Sequence, residues 1–349
     1  MVARGHRLTV CRPRQPSDSL QPSTCPWQEV LFSGAKIPRY PLLRFGFPAF
    51  SRLRTLWSKE RPDVVHVATE GPLGWSALRA ASRLEIPLSS SFHTNFHEYS
   101  QHYGARWMTR PALAYLRWFH NRTRITLSPT RELNDALEKD GFRGVRLLAR
   151  GVDTDHFTPR KRDETLRQRW GAGERDLVVF HVSRLAAEKN YPLLLKAWNL
   201  LRAAQPRAHF VLAGDGPLRK SLERQYPWVR FTGFLSREDL AKSYASADLF
   251  LFASLTETFG NVVTEAMASG LPVLAFDYAA PMRFIRSNEN GVTVPCGAED
   301  AFLQAARHLG THDLIRRRLG RAARLTAETI PWGPVVDGFE RDLRSLLAS

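Results

Sequence analysis

Short apolar runs rich in β-branched and aromatic residues recur at 64–68, 88–93, 125–129, 177–183, 208–213, 249–252 and 272–276, with helix-length stretches between them. Parallel strands cannot be joined by tight hairpins and need crossovers of a dozen or more residues, so this alternation predicts parallel sheets covered by helices, an α/β chain. Several of the runs end in Gly, Asp, Ser or Thr. In doubly wound folds ligands gather at the carboxyl ends of strands, so functional side chains are expected on the loops that follow these runs.

A length of 349 residues favours two domains, each burying a core of its own and together leaving a cleft. The break is expected at Arg150-Gly151-Val152-Asp153-Thr154-Asp155-His156-Phe157-Thr158-Pro159, where Gly and Pro punctuate before the charged stretch 160–169. This gives a first domain over 1–155, a second over 156–330 and a closing helix over 331–349 that returns toward the first. Residues 13–40 read as an irregular loop followed by a hairpin or strand, and no repeat or low-complexity tract interrupts the chain.

Hydrophobic residues make up 43% and charged residues 24%, and no apolar run nears the roughly 18 residues of a spanning helix, so a soluble protein without a transmembrane segment is expected. The opening residues do not read as the apolar core and cleavage site of a secretory signal, so a cytoplasmic location is expected. Cys11, Cys25 and Cys296 are odd in number and without metal-type spacing, and read as reduced, structural residues. The net charge of +16 is uneven: residues 1–150 hold 23 Lys and Arg against 11 Asp and Glu. Such a field attracts nucleic acid, anionic lipid headgroups or phosphorylated substrates. No zinc finger, RNA-stacking motif or basic tail is present, which argues against nucleic acid.

The densest motif is Glu257-Thr258-Phe259-Gly260-Asn261-Val262-Val263-Thr264-Glu265-Ala266-Met267-Ala268-Ser269-Gly270, followed by the strand-like Leu271-Pro272-Val273. It reads as tight turn, helix, strand. Gly260 opens the helix, whose amide groups and positive dipole end favour a diphosphate. Glu257 before the helix and Glu265 inside it offer carboxylates at two heights for hydroxyl recognition. A surface helix cap with solvated carboxylates is the plain alternative.

A second constellation, His181-Val182-Ser183-Arg184-Leu185-Ala186-Ala187-Glu188-Lys189-Asn190, places two cations on a strand-to-helix loop. Arg184 as a planar fork and Lys189 as a point charge can converge on one anion, unless both are merely solvated. Gly214-Asp215-Gly216 alone is more often a turn than a phosphate cradle. In the first half, His93, His97 and His102 follow a strand, but a metal centre usually adds carboxylates or cysteines, so structural histidines are the competing reading. Phe50, Leu53 and Trp57 share a helical face, and Arg106-Trp107, Tyr115, Trp118, Phe119, Arg122 and Arg124 mix bases with aromatics. Both segments read as core contact or as a peripheral membrane surface.

Across these motifs the chain resembles the retaining glycosyltransferases of family four (glycosyl transferases group 1), nearest in look to bacterial GDP-mannose-dependent mannosyltransferases and diacylglycerol glycosyltransferases. The resemblance implies a GT-B fold, two Rossmann-like domains with parallel sheets facing a central cleft. It implies that Glu257 contacts donor-sugar hydroxyls, Glu265 the ribose, Arg184 and Lys189 the departing diphosphate in place of a metal ion, and backbone near Phe234 the base. His93 is implied to face the donor sugar and contribute to transfer. Ser183, Gly214, Gly216, Phe259, Gly260, Asn261 and Val262 complete the implied donor-binding set. Asp153-Thr154-Asp155 imitates the Asp-x-Asp metal motif of GT-A glycosyltransferases, but its neighbours Arg150-Gly151-Val152, Phe157 and Pro159 match the interdomain segment of GT-B members.

The expected activity is therefore transfer of a hexose, mannose or glucose, with retention, from a GDP- or UDP-sugar to a lipid, glycolipid or saccharide acceptor. No cofactor and no metal are implied, and the expected location is cytoplasmic, with peripheral attachment to the inner membrane face. The resemblance starts late: residues 3–10 match the end of the first helix and the second strand of such enzymes, so the first domain is expected to lack its first strand. A truncated, non-catalytic sugar-nucleotide-binding or membrane-associated protein is the alternative, and a GT-B phosphorylase lacks an identifiable phosphate or pyridoxal-phosphate site.

Overall fold

The computed structural model describes residues 1–15, 18, 25–37, 40–93 and 109–347. The chain divides into two compact units, Met1–Ala149 with Gly333–Ser349, and Arg150–Trp332. The segment around Asp153, grouped with the first domain on sequence grounds, stands with the second unit. Its Val152 N–H donates to the Ile330 carbonyl at 2.9 Å, and Val152 and Phe157 are buried in that unit's core.

In the first unit, β1 (Thr9–Pro13) pairs in parallel with β2 (Gln28–Phe32), and β3 (Gly34–Ile37) forms a hairpin with β4 (Tyr40–Gly46). A four-stranded parallel sheet follows in simple order: β5 (Val65–Val67), β6 (Leu88–Ser91), β7 (Ile125–Ser128) and β8 (Val145–Leu147). The helix Phe50–Lys59 buries Leu53 and Trp57 in the core, so its apolar stripe is a packing face. The helix Trp332–Ser345 closes the unit: Phe339, Leu343 and Leu346 pack on Ile125 and Leu127, and Arg146 meets Asp342 at 2.7 Å.

The second unit is a six-stranded parallel sheet of β9 (Leu177–Val182), β10 (Ala208–Ala213), β11 (Arg230–Gly233), β12 (Leu249–Phe252), β13 (Val273–Phe276) and β14 (Val292–Val294). Its central strands are buried on both faces, as a sheet flanked by helices requires. The spatial order is β11-β10-β9-β12-β13-β14, so the chain runs outward from β9 and returns to its other side at β12. That reversal is the topological switch point of a doubly wound fold, where a ligand crevice opens at the carboxyl ends of the two strands. The loops after β9 and β12 are therefore brought together by topology, and they carry the two densest motifs of the sequence. Among the described residues no helix is long and apolar enough to cross a membrane.

Candidate functional site

The loop after β9 owes its shape to a close approach. Gly214, at φ 120°, lies so near the Ser183 carbonyl that a Cβ would come within 2.0 Å of its oxygen, and one on Gly216 would reach the Leu185 oxygen at 2.4 Å. Any side chain at either position would push this loop off the sheet. The N–H groups of these glycines have internal partners: Gly214 donates to Gly233 at 2.8 Å and Gly216 to the Asp215 carboxylate at 2.7 Å. The turn thus supports the loop from below.

Beneath the loop runs a buried polar chain. His181 Nδ1–H donates to the Leu251 carbonyl at 2.7 Å, its Nε2 accepts from the Ser183 hydroxyl at 2.9 Å, and Tyr191 donates to Ser183 at 2.8 Å. Burial holds the His181 ring down to about 4, and the charge of Lys189 pushes the same way, so the ring is neutral. The Ser183 hydroxyl is bonded inside the fold, where it helps anchor the loop.

Arg184 and Lys189 are each paired with a carboxylate of the same site. Arg184 bonds Glu188, a side chain only 2% exposed, and Lys189 bonds Glu257. Lys189 also reaches Ser254 Oγ at 3.4 Å. Leu255 donates its N–H to the Glu188 carbonyl at 3.0 Å, which stitches the loop after β9 to the loop after β12. Residue spacing had brought the two cations together. The Glu188 carboxylate between them is not among the residues expected from the sequence, because in a loop the four-residue spacing from Arg184 does not announce a charge pair.

After β12 the chain reaches Gly260 at φ 94°, a left-handed conformation open to glycine, and enters the helix Asn261–Ala268 with no side chain capping it. The Val263 N–H donates to the Gly260 carbonyl at 3.0 Å, while the amides of Asn261 and Val262 open the helix a few residues after Glu257. Asn261 is exposed, while Val262 packs partly against the core. Phe259 is buried there, with its carbonyl accepting from Ala280 at 2.8 Å, so its side chain is structural. Phe234, after β11, is 65% exposed and leaves its neighbouring backbone accessible.

Glu265 lies within the helix, and the hydroxyl of the fully buried Tyr244 donates to its Oε2 at 3.0 Å. Burial raises the carboxyl above its usual range, against the opposing pull of Tyr244, Arg237 and His156. Glu257 and Glu265 thus differ in setting, one in an ion pair and the other on a phenol. Nothing local in the sequence marks Tyr244 as the partner.

In the first unit His93 is exposed just after β6, while His97 and His102 lie outside the described residues, as do Arg106 and Trp107. The neighbouring strand end carries an arrangement the sequence reading missed. Fully buried His120 bonds Ser90 through Nδ1 at 2.8 Å and Glu70 through Nε2 at 3.0 Å, and Tyr115 donates to the Glu70 carbonyl at 2.6 Å. On the helix Thr109–His120, Tyr115 and Trp118 are exposed and stacked at 6.0 Å, with the Arg122 guanidinium 4.0 Å over Trp118. Phe119 faces the core. Asp153 pairs with Arg237 at 2.6 Å and accepts from the His156 N–H at 3.0 Å. Among the described residues no group of three or more His, Cys, Asp or Glu is placed to hold a metal ion.

Comparison with known proteins bears on these features. Residues 1–156 match the family described as Glycosyltransferase Family 4, and residues 162–326 match Glycosyl transferases group 1. The chain is 36% identical, over 95% of its own length and 86% of the relative's, to a GDP-mannose-dependent alpha-mannosyltransferase of Mycobacterium tuberculosis. It is 28% identical, over 71% of its length and 59% of the relative's, to an alpha-monoglucosyldiacylglycerol synthase of Streptococcus pneumoniae. Among solved structures, a sucrose-phosphate synthase from Thermosynechococcus elongatus superposes with a TM-score of 0.79 at 19% identity, covering 99% of this chain and 90% of that one. The likeness establishes the GT-B fold expected from the motifs. With its topology, both family matches and the mycobacterial relative in agreement, the chain belongs to the glycosyl transferases group 1, family four, and is a glycosyltransferase.

Proposed function

We propose that the chain transfers a hexosyl group, mannose foremost, from a GDP- or UDP-sugar to a hydroxyl of a lipid, glycolipid or saccharide, with retention of configuration. The observation that carries this reading is the pairing of Lys189 with Glu257 at the switch point, beside the glycine-started helix. It sets a phosphate-binding cation and a hydroxyl-binding carboxylate side by side, the two needs of a sugar diphosphate. The mycobacterial relative is named for GDP-mannose and the pneumococcal one for a diacylglycerol product, which favours a mannosyl donor and a lipid-type acceptor.

In the proposed reaction the bond from the anomeric carbon to the diphosphate oxygen breaks. Arg184, Lys189 and the first amides of the helix Asn261–Ala268 stabilise the charge left on that oxygen, without a metal ion or cofactor. The acceptor oxygen bonds the same carbon from the same face, and its proton passes to the departing phosphate. Glu257 orients the sugar, Glu265 the ribose, and His93 serves the transfer step. Incubation with GDP-mannose and UDP-glucose, with and without diacylglycerol or glycolipid acceptors, should give a glycosylated product from one donor. Lys189→Ala should lower kcat by about 10²–10³, the usual effect of removing one donor that faces developing charge. Folded Lys189→Ala and Glu257→Ala proteins with unchanged turnover would refute the site.

The cytoplasmic, membrane-peripheral location is part of the same proposal. Residues 1–150 carry a net +12, and Tyr115, Trp118 and Arg122 form an exposed basic and aromatic face. Sedimentation with anionic vesicles should be strong at low salt and weak at high salt, and no binding at either removes this part.

A further inference from the structure

Both cations of the diphosphate subsite already have carboxylate partners, and this constrains what can bind there. Lys189 and Glu257 are 13% and 16% exposed, so water screens their attraction poorly, and stripping one of its partner leaves the other charged in a half-dry site. Glu188 is more buried still, and its carbonyl holds the Glu257 loop in place.

We propose that Glu257 and Glu188 are resident counter-ions of the diphosphate subsite, and that the Lys189–Glu257 pair makes the site favour a diphosphate that arrives with its sugar. The inference rests on the proposed role of Arg184 and Lys189. A nucleoside diphosphate alone draws Lys189 away and leaves Glu257 unpaired, facing the phosphate charge. A sugar nucleotide replaces both partners at once: its phosphates take Lys189, and its hydroxyls donate to Glu257, which as a carboxylate can only accept. Sugar and diphosphate therefore help each other bind. Once the sugar has left, Glu257 competes again for Lys189 and helps expel the nucleoside diphosphate. Glu188 acts differently, as a positioning residue that orients Arg184 and offsets its charge without touching the sugar.

Calorimetric titration of the full chain with GDP and GDP-mannose, and with UDP and UDP-glucose, tests this on the pair that binds. Glu257→Gln should bind the nucleoside diphosphate more tightly, by about three- to tenfold for a released, partly buried charge pair, and should lose preference for the sugar nucleotide. Glu257→Asp, which keeps the charge, should bind the diphosphate as the parent chain does. Glu188→Gln should tighten both ligands while keeping their ratio. If Lys189→Ala weakens the nucleoside diphosphate but Glu257→Gln leaves it unchanged or weaker, the counter-ion exchange is wrong and the site stands. If Lys189→Ala leaves both ligands unchanged, or no ligand binds the parent chain, the site reading and the exchange fall together.

Discussion

At Glu265 the proposed ribose contact and stability pull in opposite directions. Its carboxyl is raised by burial, with Tyr244 holding one oxygen at 3.0 Å. A carboxyl raised on folding adds stability that is fully present below its unfolded value of 4.5 and is lost as pH rises through the folded value. Above the folded value the ionised group therefore weakens the second unit. Glu265→Gln should raise its melting temperature at pH 7.5, by ~2–4 °C for each kcal/mol recovered in a domain of this size. The gain should shrink toward pH 4.5, while sugar-nucleotide affinity drops. Thermal melts across this range decide it, and a variant less stable than the parent at pH 7.5 counts against the argument. Arg184, Lys189 and Glu257 were legible as charged residues on loops that follow apolar runs, and Glu265 as a second carboxylate inside the helix that comes next. Their partners were hidden for two reasons. Tyr244 reaches Glu265 only through tertiary packing, and a buried acid such as Glu188 reads as an ordinary surface charge until burial is known.

At the scale of elements, the strands were the most legible part of the chain, because runs such as 249–252 and 272–276 are apolar on both faces and only buried parallel strands tolerate that. The order of strands was not legible. Nothing near residue 177 records that β9 is flanked by β10 and β12, yet this order brings the two site loops together. The closing helix Trp332–Ser345, expected from the sequence to return toward the first domain, packs in the first unit although the whole second unit separates it from its partners in sequence. Phe339 meets His66 edge-on at 5.2 Å, the Leu346 carbonyl accepts from Arg124 at 2.8 Å, and the Leu346 side chain is buried beside Ile125 and Leu127. Leu346→Ala should cost about 2–5 kcal/mol, the range for emptying a buried leucine site. Hydrogen exchange should place that loss in β5 to β8 and leave β9 to β14 protected. Faster exchange spread over both sheets would contradict the assignment of this helix to the first unit.

For the whole molecule, the shared feature is a neutral imidazole built into each of the two larger parallel sheets. His66 on β5 lies between the Ser89 and Ser91 hydroxyls, at 2.9 Å each, and His181 on β9 lies between Leu251 and Ser183. Burial holds each ring down to about 4, assisted by His93 for the first and Lys189 for the second. A base lowered on folding contributes stability that is complete above its unfolded value of 6.5 and is lost as pH falls toward the folded value. The loss is on the order of 3 kcal/mol per ring by pH 4, because the unfolded chain takes up the proton first. Within the second unit Glu265 works the other way over the lower part of this window, since its raised carboxyl gains stability on acidification. Acidification from pH 7 to pH 4.5 should therefore weaken the first unit more than the second. Calorimetric scans through that range should show the steeper fall in the transition reported by hydrogen exchange at β5 to β8, and His66→Gln should flatten that fall while leaving the second transition unchanged. An equally steep fall in the His66→Gln protein would show that the acid sensitivity resides in groups other than this ring.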